Sequence, residues 1–166
     1  MTPDWTRVEF FQKTEWVKDP ERVHADLVYA TDEYRRALGR PVVILVAFDT
    51  GGHETDSAHY PTAMEPSAMA VDLYAPSVAL VDQWLTAERI TSFCGVGLYP
   101  YWTRQTAPGI RERIPGLHLD IRVKPEHPLI GRRWYRDAAG VYRALDRAFL
   151  RQLADDAFPV APSNST

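Results

Sequence analysis

Four short segments of mostly apolar residues constrain the fold of this chain most strongly. They are shorter than ordinary helices, and polar, glycine-containing or proline-containing stretches separate them, which is typical of β-strands. The first segment, PVVILVAF, contains no polar side chain and predicts a strand that is buried on both faces. The four predicted strands are residues 41–48, 68–74, 95–99 and 117–123.

Three helices are predicted around these strands. In residues 20–38, apolar side chains recur every three to four positions, Asp19 is placed to cap the N-terminus, and Gly39 permits a left-handed cap at the other end. Similar spacing predicts helices over residues 76–89 and 137–153. The fold class expected from these elements is α+β, a small antiparallel sheet flanked by helices.

The remaining segments are predicted to be irregular. Residues 49–67 form a long polar loop between the first two strands, and loops of that length within a compact domain are usually functional or mobile. The segment between the third and fourth strands contains two prolines and two glycines, which predicts a loop with at most one helical turn. We expect one domain over residues 1–156, followed by a disordered tail, residues 157–166.

Composition and charge exclude several classes of function. The chain has 166 residues and a net charge of −3, which argues against a nucleic-acid-binding protein that works by neutralising phosphates. No apolar run is long enough to span a bilayer, and the N-terminus lacks the pattern of a secretion signal, so a soluble protein is expected. The single cysteine, Cys94, excludes an internal disulfide, so histidines and carboxylates would have to hold any metal. Cys94 itself is predicted to be a buried small apolar side chain.

Polar side chains inside two of the predicted strands are the main anomaly. Asp72 and His118 interrupt apolar segments, and a buried carboxylate or imidazole costs several kcal/mol unless it is paired or binds a metal. His59 lies in the loop that leads to Asp72, and two imidazoles with one carboxylate form a ligand set of catalytic zinc. The alternatives are a hydrogen-bonded core histidine at 118, an Asp72–Arg122 ion pair, and a solvated His59. His53 is a second candidate for the histidine of the loop.

Four motifs occur in an order that resembles a known family. They are SAH at residues 57–59, AMAVD at 68–72, GVGLYP at 95–100 and GLHLDIR at 116–122. Together they resemble the zinc D-alanyl-D-alanine carboxypeptidase and murein endopeptidase superfamily, which has the hedgehog/DD-peptidase fold, in its His-x-Asp branch. The resemblance covers residues 23–122. It implies a Zn²⁺ cofactor and a peptide of bacterial peptidoglycan as the substrate.

The resemblance also implies roles for individual residues. His59, Asp72 and His118 match the zinc ligands of the family, and Asp120 matches the acidic residue of the His-x-Asp motif. Asp120 is expected either to accept a proton from zinc-bound water, which is the preferred role, or to orient a histidine ligand. If Asp120 is not the base, Glu112 is the next acidic residue upstream of His118.

Several other side chains receive simpler expectations. Tyr99 and Trp102 are expected to line a cleft or to belong to the core. His24 and His127 are expected at the surface.

Two departures from the family pattern bear on activity. The separation between His59 and Asp72 is longer than usual, which requires the intervening loop to bulge outward. In addition, Ala47-Phe48-Asp49-Thr50 stands where the family carries an arginine that binds the substrate carboxylate. Candidates to replace that arginine are Arg104, Arg122 and Arg132.

The expected function is zinc-dependent hydrolysis of an amide bond in peptidoglycan by a carboxypeptidase or endopeptidase, and a phage-encoded, endolysin-like enzyme fits this expectation. A cell-wall enzyme of this kind would act outside the cytoplasm or after phage release. The alternative is a catalytically impaired zinc-binding module of the same fold, with a structural or cell-wall-binding role. The sequence does not indicate the oligomeric state.

Overall fold

The computed structural model describes residues 1–50, 57–62, 66–122 and 132–157. Within these residues the chain forms three α-helices and eight β-strands. The helices are α1 (Ala25–Leu38), α2 (Leu80–Ala87) and α3 (Arg147–Ala157). The strands are β1 (Val43–Val46), β2 (Ala70–Tyr74), β3 (Gly95–Tyr99), β4 (Thr103–Ala107), β5 (Ile110–Arg113), β6 (Gly116–Asp120), β7 (Arg132–Arg136) and β8 (Tyr142–Ala144).

The architecture is α+β, as expected. Six strands form one sheet in the order β1-β2-β6-β3-β7-β8, and β4 pairs with β5 in a separate hairpin. The expectation of an antiparallel sheet is only partly right, because β3 and β7 run parallel while the other neighbours in the sheet are antiparallel. No described helix is both long and apolar enough to cross a membrane.

The central strands separate an apolar face of the sheet from a polar one. Side chains alternate between the two faces of a strand, so residues opposite each other in register share a face. Val71 and Val96 lie opposite Leu119, and Leu73 and Leu98 lie opposite Leu117; all six side chains are fully buried in the hydrophobic core. The other face therefore carries the intervening residues, and two of these are Asp72 and His118.

Helix α1 begins later than predicted. Residues Pro20–Arg22 form a separate 3-10 turn, Asp19 makes no side-chain capping bond, and the His24 Nδ1 atom accepts the capping bond from the Asp26 N–H group at 3.2 Å. The break occurs because Val23 forms a parallel bridge with Ala68, next to β2. The predicted end of the helix is confirmed, since Gly39 adopts the left-handed conformation with φ of 63°.

Two segments that were predicted differently form hairpins. Residues 103–113, which were expected to be a loop, form β4 and β5 around Gly109, whose φ is 77°. The predicted helix over residues 137–153 is wrong in its first half: Gly140 has a φ of 83°, and the Asp137 carboxylate accepts a bond from the Val141 N–H group. This turn pairs β8 with β7.

The bounds of five other elements differ from the sequence prediction. Strand β1 is shorter at both ends than residues 41–48, and β2 begins at Ala70 rather than at residue 68. Helix α3 begins only at Arg147, and α2 is shorter at both ends than residues 76–89. Strand β6 ends at Asp120, and the tail expected after residue 157 lies outside the described residues.

Candidate metal centre

The polar face of the sheet brings together the three predicted zinc ligands. Asp72 on β2 and His118 on β6 lie directly opposite each other, and His59 reaches them from the loop before β2. The Asp72 Oδ1 atom lies 2.8 Å from His118 Nδ1 and 3.3 Å from His59 Nε2. The two nitrogen atoms are 3.2 Å apart. The three side chains could hold a metal ion.

The spacing of these three atoms fits zinc. In a tetrahedral site with bonds of about 2.0–2.1 Å, neighbouring ligand atoms are about 3.3 Å apart. The observed separations of 2.8–3.3 Å reach that geometry with shifts of a few tenths of an ångström. The donor set of two imidazoles and one carboxylate is also one that zinc uses in catalytic sites, where a further position is left for water.

The position of His59 is fixed by backbone contacts on both sides of the loop. The Asp49 N–H group donates to the His59 carbonyl at 3.2 Å, and the Met69 N–H group donates to the Ala58 carbonyl at 2.8 Å. The His59 Nδ1 atom lies 3.0 Å from the Ala47 carbonyl, which can only accept a hydrogen bond. Nδ1 therefore carries the proton, and the lone pair of Nε2 faces Asp72. Only 1% of His59 is exposed.

Asp120 lies behind His118 and is almost completely buried, with 1% exposure. Its Oδ2 atom is 3.6 Å from His118 Nε2. Its Oδ1 atom forms an ion pair with Arg132 and accepts a hydrogen bond from the Arg122 N–H group at 3.1 Å. This arrangement favours the proton of His118 on Nε2, which leaves Nδ1 free as the metal-binding atom.

The charges of the cluster raise or lower the pKa values of its members. Burial alone would raise the pKa of Asp72, but its contacts with the two histidines, above all with His118, outweigh burial and hold it well below its usual range. Burial alone would lower the pKa of His118, but Asp120 and Asp72 raise it to about 9. Without a metal, the carboxylates therefore hold a proton on His118, and a cation bound between the ligands would replace the charge of that proton.

Two glycines of β3 leave the space that the site needs. Gly95 lies opposite Asp120, and a Cβ atom on Gly95 would overlap the Asp120 carboxylate. Gly97 lies opposite His118, and a Cβ atom there would overlap the indole ring of Trp134. The Trp134 ring therefore lies over β3, with its centroid 5.4 Å from the ring of His118. The glycines of the GVG motif thus have a direct steric role.

An open cavity of about 800 Å³ adjoins the three candidate ligands. Tyr99 and Trp102 line it as expected, and their rings stack with centroids 4.1 Å apart. Trp134 also lines the cavity. Five arginines lie around it, and four of them belong to β7 and β8: Arg122, Arg132, Arg133, Arg136 and Arg143.

Three other residues that were considered in the sequence analysis do not line the cavity. Glu112 is exposed on β5, pairs with Arg104 at 2.7 Å and does not line the cavity. Arg104 also donates to the Tyr74 hydroxyl at 2.7 Å and lies outside the cavity lining. Cys94 is half-buried rather than fully buried.

The expectations for the remaining histidines and for Arg122 have mixed outcomes. His24 is half-buried and caps α1, while His53 and His127 lie outside the described residues. An Asp72–Arg122 ion pair was one alternative in the sequence analysis. In the structure, Asp72 contacts the two histidines instead.

Sequence reasoning missed the contribution of β7. Residues Arg132–Arg136 read RRWYR, and three arginines in five residues gave no strand signal. The alternation of Arg132, Trp134 and Arg136 with the intervening residues was the available clue, because it places these three on one face of a strand.

No protein-family model, curated protein or solved structure matches the chain. The resemblance to the peptidase superfamily therefore rests on the four sequence motifs alone, and membership of the family and its fold stay predictions.

Proposed function

We propose that the chain is a zinc-dependent hydrolase that cleaves an amide bond in a peptide of bacterial peptidoglycan. The observation that carries the metal part of the proposal is the convergence of His59, Asp72 and His118 beside an open cavity. The resemblance of the four motifs supplies the peptidase reaction and the peptidoglycan substrate.

His59, Asp72 and His118 would hold the zinc ion. When bound, zinc polarises a carbonyl group and lowers the pKa of a bound water towards neutrality. The Ala47 carbonyl and Asp120 hold the two imidazoles so that His59 Nε2 and His118 Nδ1 face the same point. The cavity gives a substrate access to that point.

Asp120 is the residue to which we assign the proton transfer. Among the described residues that line the cavity, Asp72 and Asp120 are the carboxylates, and Asp72 is a ligand in this proposal. Ion pairs with His118 and Arg132 keep Asp120 ionised, since they outweigh the effect of burial and lower its pKa. Asp120 is thus ionised and orients His118 from the Nε2 side, and the proposed proton transfer requires the metal-bound water to reach it around the His118 ring.

Asp120→Asn and Asp120→Ala separate these two roles. Asparagine does not take up a proton, and its single oxygen accepts either from His118 or from the Arg132 side chain and the Arg122 N–H group, so Asp120→Asn should lose hydrolysis while it weakens zinc binding less than Asp120→Ala does. Asp120→Ala should lose hydrolysis and also bind zinc more weakly, by about 10- to 100-fold, as is typical when the partner of a ligand histidine is removed. Full hydrolysis by Asp120→Asn would exclude the proton-transfer role.

The experiment that tests the function is the release of soluble fragments from purified peptidoglycan, measured together with the zinc content of the protein. We expect one zinc per chain, release of fragments, loss of release with a chelator and recovery on addition of zinc. Glu112→Gln is the matched control because it removes a carboxylate outside the cavity. Absence of zinc from protein that was purified and then incubated with zinc would refute the proposal.

A zinc-binding module without catalytic activity is the second candidate. One observation favours it: Asp120 is 1% exposed, and both of its oxygen atoms already contact protein groups. A carboxylate held in this way is well suited to orienting a ligand and less suited to exchanging protons with water. Stoichiometric zinc with no release of fragments under any condition would support this candidate.

A further inference from the structure

The cavity extends away from the candidate ligands along the polar face of the sheet. His118 on β6 lies opposite Gly97 on β3, Gly97 lies opposite Trp134 on β7, and Trp134 lies opposite Ala144 on β8. One row of residues thus crosses four strands. Since neighbouring strands are about 4.8 Å apart, β7 lies about 10 Å from β6, and β8 lies about 14 Å from it.

The end of the cavity at β7 and β8 carries Arg136 and Tyr142, which lie opposite each other on the polar face. The Arg136 Nε–H group donates to the Gly140 carbonyl at 3.0 Å. The guanidinium carbon lies 5.6 Å from the centre of the Tyr142 ring. These contacts hold the guanidinium in place and use only its Nε–H group for hydrogen bonding among the described residues.

Arg136 differs from its neighbours in having no carboxylate partner within the described part of the chain. Arg132 pairs with Asp120. Arg133 contacts both oxygen atoms of Glu88, at 2.6 and 3.0 Å, and Arg143 pairs with Asp137 at 2.6 Å. The positive charges of these three arginines are therefore compensated locally, whereas that of Arg136 is not.

We propose that Arg136 and Tyr142 form a subsite for a carboxylate of a bound peptide, about 12 Å from the candidate ligand His118, since Arg136 lies two strands away and two residues beyond Trp134. The guanidinium presents a planar pair of N–H donors that matches a carboxylate, and the Tyr142 ring packs against the adjacent chain of the ligand. The Trp134 indole lies between the two positions and supports the ligand between them.

The distance between Arg136 and the candidate metal ligands determines where a bound peptide must carry its carboxylate. This step rests on the proposed function, because it places the amide bond to be cleaved at the metal. An extended chain advances about 3.3 Å per residue, so an acidic residue about three to four positions from that bond reaches Arg136. The cavity thus selects an acidic peptide by the spacing between its carboxylate and its scissile bond.

The test uses five-residue peptides of alanine, blocked at both ends, with one glutamate at each position in turn. Peptides with glutamine at the same positions are the neutral controls, and affinity for the full zinc-loaded chain is measured by calorimetry. We expect one glutamate position to bind about tenfold or more tightly than its glutamine counterpart, because hydrogen bonds to charged groups are the strong ones. Arg136→Met should abolish this preference, and Arg136→Lys should restore part of it.

Arg151→Met is the matched control, because Arg151 is an exposed arginine of α3 outside the cavity, and this variant should retain the preference. Equal binding of the glutamate and glutamine peptides, or an unchanged preference in Arg136→Met, would overturn the proposal. If inorganic phosphate binds as tightly as the best peptide, the subsite recognises a free anion, and the acidic-peptide assignment is wrong.

Failure of the subsite and failure of the proposed function give different results. A preference for one glutamate position that depends on Arg136, without any release of peptidoglycan fragments, would retain the subsite and refute the hydrolase. Release of fragments by both wild type and Arg136→Met, with no glutamate preference, would retain the hydrolase and refute the subsite.

Discussion

Arg132 holds a carboxylate that has almost no contact with water, and Arg132→Met removes that support while keeping much of the side-chain volume. Asp120 is 1% exposed and the Arg132 side chain is 16% exposed, so their ion pair is buried. Loss of one partner of a buried pair leaves an uncompensated charge and typically costs about 3–5 kcal/mol. His118 remains beside Asp120 and keeps its carboxylate ionised, so a value near the lower end of that range is expected.

The expected consequence is a large fall in thermal stability of the zinc-free protein. For a domain of this size, 1 kcal/mol corresponds to about 2–4 °C in Tm, so a loss of about 3 kcal/mol lowers Tm by about 6–12 °C. The same substitution leaves the Asp120 carboxylate free to turn away from His118. Zinc affinity, measured by competition with a chelator, should therefore fall by about 10- to 100-fold.

Arg133→Met is the matched control for this experiment. Arg133 lies next to Arg132 in sequence and lines the same cavity, but its partner is Glu88, and the two side chains are 24% and 29% exposed. Partly exposed pairs contribute about 0–1 kcal/mol, so Arg133→Met should change Tm little and leave zinc affinity unchanged. If both variants lose the same stability and the same zinc affinity, Arg132 has no special role in orienting His118.

Three further predictions concern the strand glycine, pH and the carboxylate ligand. Gly97→Ala places a methyl group where the Trp134 indole lies, and overpacking of this kind should cost about 1–3 kcal/mol in urea unfolding and change tryptophan fluorescence; unchanged spectra would contradict the contact. Burial opposes charge on His118, but Asp120 and Asp72 raise its pKa from 6.5 to about 9, so its stabilisation of the zinc-free protein is complete below pH 6.5 and is lost as pH rises through 9. Tm of the zinc-free protein should fall over that interval while zinc affinity rises, and a flat profile would contradict the pairing. Asp72→Asn keeps the shape of the side chain and removes its charge, so zinc binding should weaken at least tenfold by calorimetry; an unchanged affinity would exclude Asp72 as a ligand.

The three candidate metal ligands could be predicted from the sequence, whereas strands β7 and β8, which complete the cavity beside them, could not. Asp72 and His118 stood out because each interrupts an apolar strand, and in an antiparallel pair such residues can lie face to face. His59 gave no signal of its own, since a histidine in a polar loop is usually solvated. Its selection depended on the SAH motif, and its burial comes from backbone contacts with residues distant in sequence, which no local pattern reveals.

The errors in the fold arose where tertiary contacts override local preference. Helix α1 begins at Ala25 rather than at Pro20 because Val23 forms a β-bridge with Ala68, which is distant in sequence. Strand β7 lies at the polar end of the sheet, so its arginines face a cavity rather than a core and do not show the apolar alternation of a half-buried strand. The helix predicted from residue 137 failed because the turn at Gly140 returns the chain to β7.

The measurement that tests the metal site most directly is X-ray absorption at the zinc edge, on protein loaded with one equivalent of zinc. Coordination by His59, Asp72 and His118 predicts two imidazole nitrogen atoms at about 2.0–2.1 Å, together with oxygen ligands at about 2.0–2.2 Å. The imidazole signal should fall in His118→Ala. A spectrum without imidazole scattering, or one with sulfur at about 2.3 Å from Cys94, would contradict the proposed site.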